Sequence, residues 1–174
     1  TANRLRSTMQ LLRQFRFAAI RGNASEISAL LSTSPITMKA EKGVDSAETT
    51  LEDKIALAKK AAKRFSCTVM VTGSTDVVAG GDKVALVSNG IPMMSKITGT
   101  GCLASGLVAA LCGCTGDSFE AAVTAAALIG TVGEIAGETA KGTGSLYVGM
   151  LDTLTNITPD IFTQYAKIEN YTGE

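Results

Sequence analysis

Leu5, Met9, Leu12 and Phe15 recur at the three-to-four spacing of one helix face, which predicts an amphipathic helix over residues 3–15. Residues 17–21 are a short apolar run ending in Arg21, the pattern of a buried strand. Asn23 or Ser25 then stands in position to cap a helix running to Leu31. Residues 32–46 are polar and hold Pro35 and Gly43, which predicts a long mobile loop. Leu51, Ile55, Ala58, Ala62 and Phe65 mark a second amphipathic helix. The continuous apolar run at 67–72, closed by Gly73, reads as a buried strand. Residues 76–79 and 84–87 flank Gly80-Gly81-Asp82-Lys83 as a hairpin does.

Beyond residue 97 the pattern changes from alternation to small residues on nearly every face. Two Ala-rich helices are predicted, 102–112 and 118–136, with 113–117 between them, and their composition implies close packing inside a layer. Residues 142–145 form a turn into an apolar helix over 146–154. Thr158 followed by Pro159 is an N-cap with proline at the first helical position, and it starts a last helix. Strands alternating with helices predict an α/β fold with a mostly parallel sheet. Two long strands and a hairpin are few for so many helices, so further strands are expected from an N-terminal portion that this polypeptide lacks.

Charge and composition narrow the function. The 174 residues carry 16 basic and 16 acidic side chains, no basic block and 5% aromatic residues, so neither nucleic acid nor an anionic membrane is favoured as a partner. The apolar stretches at 103–111 and 121–130 read as too short to span a bilayer. Cys67, Cys102, Cys112 and Cys114 form no Cys-x-x-Cys pair, and with no histidine the chain lacks the ligands of a zinc site. Three of the cysteines fit buried thiols of a cytoplasmic protein. The lack of histidine also removes Ser-His-Asp and Cys-His catalysis, leaving a carboxylate, a cysteine or a lysine as the only available base.

Three polar clusters are placed after strand ends: Arg21 to Glu26, Thr72 to Asp76, and Thr98 to Cys102 following residues 93–97. In open α/β sheets such positions receive ligands. Gly99 and Gly101 let a backbone approach a ligand closely, and the helix behind them presents free N–H groups and a positive dipole end to an anion. Arg21 suits a phosphate, Thr72 with Gly73 can hydrogen-bond one, and Asn23 and Glu26 are oxygen ligands for Mg²⁺, directly or through water. Each has a plainer alternative: Arg21 in a surface ion pair, Glu26 as half of a capping box, Thr72 as the end of a strand. Together they point to a nucleotide-phosphate site that is neither a Walker loop nor a Gly-x-Gly-x-x-Gly dinucleotide fold, since both motifs are missing.

Four segments carry a family resemblance: Ile20-Arg21-Gly22-Asn23-Ala24-Ser25-Glu26-Ile27, Lys42-Gly43-Val44-Asp45-Ser46, Val71-Thr72-Gly73 with Asp76-Val77-Val78, and Ile97-Thr98-Gly99-Thr100-Gly101-Cys102. With them the chain resembles the hydroxyethylthiazole kinases of thiamine biosynthesis, of the ribokinase-like superfamily. The resemblance implies a three-layer α/β/α fold with a mostly parallel central sheet, of which residues 1–174 would be the C-terminal two-thirds of a single kinase domain. It implies ATP-phosphate contacts at Arg21 and Thr72, and an anion hole and substrate edge at Gly99, Thr100 and Gly101. Cys102 would occupy the place of the usual aspartate base, and Glu26 and Asn23 would hold Mg²⁺. The reaction would move the ATP γ-phosphate to the hydroxyl of 4-methyl-5-(2-hydroxyethyl)thiazole, in a homotrimer with sites at subunit interfaces.

Two departures accompany the resemblance. The family's N-terminal third has no counterpart here, and Gly142-Thr143-Gly144-Ser145 replaces a Gly-Pro-Gly-Ser segment. The expectation is that the fragment alone is inactive and works with a companion N-terminal fragment. Gly-Thr-Gly-Cys is shared with the hydroxymethylpyrimidine phosphate kinases, which are the nearest alternative. A non-catalytic nucleotide-binding fragment is the other.

Overall fold

Alternating valines set the layers. In the computed structural model, which describes residues 2–32 and 49–172, a strand over Thr68–Thr72 (β2) sends Val69 and Val71 to one face and Met70 to the other. The first face is covered by helices Ala24–Leu31 (α2) and Leu51–Phe65 (α3), through Ile27, Leu30, Ile55, Ala58 and Ala62, with helix Ala2–Gln14 (α1) outside them. The second face receives helices Thr100–Thr115 (α4) and Ser118–Gly137 (α5), through Val108, Ala122 and Ala126. Helix against sheet against helix is the expected three-layer arrangement. A separate apolar cluster joins α4 and α5 to helix Thr143–Asn156 (α6), whose Leu146 and Met150 are fully buried. Helix Pro159–Tyr165 (α7) follows, with Pro159 in the first turn and Thr158 as its N-cap.

The sheet has five strands in the order β1-β2-β3-β4-β5, with β1 at Ala19–Asn23, β3 at Asp76–Gly80, β4 at Lys83–Val87 and β5 at Ile168–Asn170. It is not mostly parallel among the described residues. β1 pairs parallel with β2, Asn23 opposite Thr72, whereas the other three pairings are antiparallel. Loop length decides two of these: a β-strand needs a crossover of a dozen residues or more to return parallel, which β1 to β2 has through α2 and α3, whereas β2–β3 and β3–β4 are joined by short turns. The long run from β4 to β5 leaves either sense open, and β5 returns antiparallel at the edge of the sheet. The β3–β4 turn, with Gly81 at φ 58°, is a tight hairpin and can only reverse the chain.

Residues 93–97 are a second correction. They form a 3-10 helix, Pro92–Lys96, instead of a strand, because Pro92 has no N–H for a sheet ladder and starts a helical turn. The apolar Met94 packs on α5, into a notch left by Gly133. α5 matches the expected 118–136 to within one residue, but its apolar character extends beyond the 121–130 stretch that reads as too short to span a bilayer. At 20 residues it is long and apolar enough to cross a membrane by length and composition, but most of it is buried against the sheet and its neighbouring helices. The segment Lys42-Gly43-Val44-Asp45-Ser46, and the loop expected over 32–46 apart from Ser32, lie outside the described residues.

Candidate active site

The C-terminal ends of β1 and β2 lie side by side, and the turn from β2 to β3 closes over them. Arg21 comes from the middle of β1, half-buried, and its Nη1 donates to the carbonyl of Gly101, 3.1 Å away in the first turn of α4. Two sequence-distant pieces, 80 residues apart, thus meet as expected. Gly101 leaves room for this contact: a Cβ there would stand 2.7 Å from Nη1 and 2.9 Å from Nη2, and the guanidinium would have to shift.

α4 begins earlier than its sequence suggests. Gly99 at φ 110° is the break, and Leu103 N–H already donates to its carbonyl, so Thr100, Gly101 and Cys102 form the first helical turn and are not loop. α2, α3, α5 and α7 are all capped by a side-chain oxygen, from Asn23, Thr50, Asp117 and Thr158. α4 has none, because its N-cap is Gly99 and the Thr100 hydroxyl turns back to the Ile97 carbonyl. An uncapped first turn of amides, with a guanidinium beside it, is a place for an anion. Cys102, third residue of that turn, is exposed.

Asn23 and Glu26 are brought together in the plainer of the two ways. Asn23 Oδ1 accepts from the Glu26 N–H (2.8 Å) and from Ser25 Oγ (2.9 Å), while Glu26 Oε2 accepts from the Asn23 N–H (2.9 Å). This reciprocal capping box starts α2. It fills both lone pairs of the Asn23 oxygen and leaves the second oxygen of Glu26 open. Among the described residues no group of three or more acidic, histidine or cysteine side chains could hold a metal. A Mg²⁺ carried by nucleotide phosphates needs as few as one protein carboxylate, which Glu26 alone can supply. Thr72 is the last residue of β2, beside Asn23, with its hydroxyl unpaired among the described residues.

Two more residues meet here: Asp76, the end of the Thr72-to-Asp76 cluster, and Lys54, which carries no sequence signal. Asp76 accepts from the Gly73 N–H at 2.8 Å, and Lys54 reaches from α3 to donate to the Thr75 carbonyl at 3.1 Å. Burial pushes the Asp76 carboxyl up to about 6, against the opposing pull of the Gly73 N–H, Lys54 and Arg21. From 3.8 to about 6 the folded chain therefore binds more protons than the unfolded one, so stability falls as pH rises through that window. Asp76→Asn keeps an oxygen for Gly73 and is expected to flatten that slope, as urea midpoints between pH 4 and 7 would show.

Two cavities, 880 Å³ and 570 Å³, lie at the other end of β2, around Lys83 and Phe119. Their cations Lys59, Lys63 and Lys83 share the space with Asp82 and Asp117, and Asp117 already caps α5.

The chain is similar to known proteins over nearly its whole length. Residues 1–160 match the model of the hydroxyethylthiazole kinase family. A hydroxyethylthiazole kinase of Ruminiclostridium cellulolyticum is 40% identical over 172 residues, covering 97% of this chain and 62% of its own length. One from Zea mays is 43% identical over 152 residues, 87% of this chain and 54% of its own. The solved hydroxyethylthiazole kinase structure from Pyrococcus horikoshii OT3 superposes with a TM-score of 0.85 at 32% identity, over 98% of this chain and 61% of that one. The chain thus spans about 60% of the length of the relatives it matches.

Proposed function

The chain belongs to the hydroxyethylthiazole kinase family, and on that premise we propose that the protein transfers the γ-phosphate of ATP to the primary hydroxyl of 4-methyl-5-(2-hydroxyethyl)thiazole. The observation that carries the proposal is the uncapped first turn of α4, opened by Gly99 and flanked by Arg21, at the ends of β1 and β2.

Phosphoryl transfer to an alcohol passes through a loose transition state, so positioning and charge stabilisation do most of the work. In this proposal the Gly101 and Cys102 amides receive the migrating group, with Gly99 and Thr100 at the substrate's edge. Arg21 and the Thr72 hydroxyl bind ATP phosphates. Glu26, oriented by Asn23 through the capping box, would hold Mg²⁺, which would supply charge neutralisation for the nucleotide phosphates. Cys102 accepts the hydroxyl proton. The active protein is a cytoplasmic homotrimer with sites between subunits, and intact mass of the purified sample reports whether a companion fragment travels with it.

A coupled ADP-release assay on the whole protein tests the assignment. ADP is expected with the thiazole alcohol, and little with hydroxymethylpyrimidine phosphate; the reverse order would favour the pyrimidine kinase, and ADP from neither would remove both. Cys102→Asp is expected to keep or raise turnover, because a carboxylate is the stronger acceptor. Cys102→Ala is expected to lower it by ~10²-fold, the usual contribution of a general base. Equal turnover of the alanine variant and the parent contradicts the base role.

A further inference from the structure

We infer that Lys54 is a nucleotide-phosphate-binding residue, held over the β2–β3 turn so that its ammonium supplements Arg21. The inference rests on the kinase reading above and adds a residue to its site.

Lys54 is the fourth residue of α3, in the first turn, where a cation opposes the helix dipole and weakens the helix. Its place is thus not explained by the helix it belongs to. A surface lysine ordinarily extends into water and keeps its rotamer freedom. This one is half-buried and crosses to another element, donating to the Thr75 carbonyl. Its Nζ occupies the space that a side chain at Gly73 would fill, so residue 73 must be glycine for the ammonium to sit there. Gly73 directly follows Thr72, the phosphate contact proposed on the edge of β2.

Among the described residues the Thr75 carbonyl is the one hydrogen-bond acceptor of this ammonium, which has three N–H donors. Asp76, at the far side of the turn, attracts both Lys54 and Arg21. Two cations from different elements therefore bracket one turn, each with donors to spare. A polyphosphate laid across the ends of β1 and β2 meets Arg21 on one side and Lys54 on the other, and the phosphate chain is the part of a nucleotide that calls for both.

Binding of ADP and of adenosine to the whole protein separates this role from a structural one. Lys54→Met is expected to weaken ADP about tenfold, the effect of losing one charge-assisted hydrogen bond, and to leave adenosine unchanged. Lys54→Arg restores most of the ADP affinity. Gly73→Ala displaces the ammonium while keeping the lysine, so it weakens ADP as well, yet adds nothing in the Lys54→Met background. Should Lys54→Met fail to fold, the Gly73→Ala comparison decides alone. Unchanged ADP affinity, equal losses for ADP and adenosine, or additive effects of the two substitutions overturn the role of Lys54. If the parent itself has no affinity for ADP, the kinase reading falls with it.

Discussion

Arg21→Met is expected to lower kcat/KM for ATP by ~10²- to 10³-fold, the loss that follows removal of one preorganised donor to transition-state charge. The loss should fall mainly on ATP and on turnover, with KM for the alcohol little changed. Among the described residues Arg21 makes one hydrogen bond, to the Gly101 carbonyl, and it is half-buried, so its removal should leave the melting temperature within a few degrees. Arg21→Lys keeps the charge and loses the two-pronged geometry, and should fall between the two. Steady-state kinetics with ATP and the thiazole alcohol varied in turn check all of this. A methionine variant with parental kcat/KM would show that the guanidinium serves only to pin α4 to β1.

The largest effect on stability is expected at Gly130. A Cβ there would stand 2.6 Å from the carbonyl carbon and 2.7 Å from the carbonyl oxygen of Asn89, which are backbone atoms and cannot swing aside. Asn89 is itself fixed: its Nδ2 donates to the Tyr165 carbonyl at 2.9 Å, and its Oδ1 accepts from the Lys167 N–H at 2.7 Å. Glu134, one helical turn beyond Gly130, accepts from the Gly90 N–H at 2.7 Å and from Lys167 Nζ at 2.9 Å. Gly130→Ala should therefore cost ~3 kcal/mol of overpacking, against ~1 kcal/mol gained in helix propensity. Gly113 in α4 is the control of opposite sign. Nothing lies within 4 Å of its missing side chain, so Gly113→Ala should gain up to ~1 kcal/mol. Urea unfolding of the two variants beside the parent reads both signs.

What the sequence disclosed follows from how local each cause is. α3 was legible because Leu51, Ile55, Ala58, Ala62 and Phe65 recur at helical spacing, a local signal; its Thr50–Asp53 capping box is seen only in the structure. The β3–β4 hairpin was legible for the same reason, its turn being read from Gly80 to Lys83. Met93 to Ile97 misleads because an apolar run looks alike in strand and helix, and Pro92 decides between them. β5 is three exposed residues, Ile168-Glu169-Asn170, with no alternation to detect; its pairing with β4 creates it. In the site, Arg21 stood out as a cation in an apolar strand, and Gly99 and Gly101 as a glycine pair ahead of a small-residue helix. Lys54 did not, since a lysine on a helix gives no sign of reaching a turn 21 residues away. Glu26 read as ligand or as cap, and the 2.9 Å bond from the Asn23 N–H shows the cap while leaving its second oxygen open.

The central claim is that the first amides of α4, with Arg21, take a phosphate group. A crystal structure of the whole protein with a non-hydrolysable ATP analogue tests it most directly. The γ-phosphate should lie within hydrogen-bonding distance of the Gly101 and Cys102 N–H groups, with Arg21 on the phosphate chain. A nucleotide seated instead among Lys59, Lys63 and Lys83 at the opposite end of the sheet, with the α4 turn in contact with no phosphate, would contradict it.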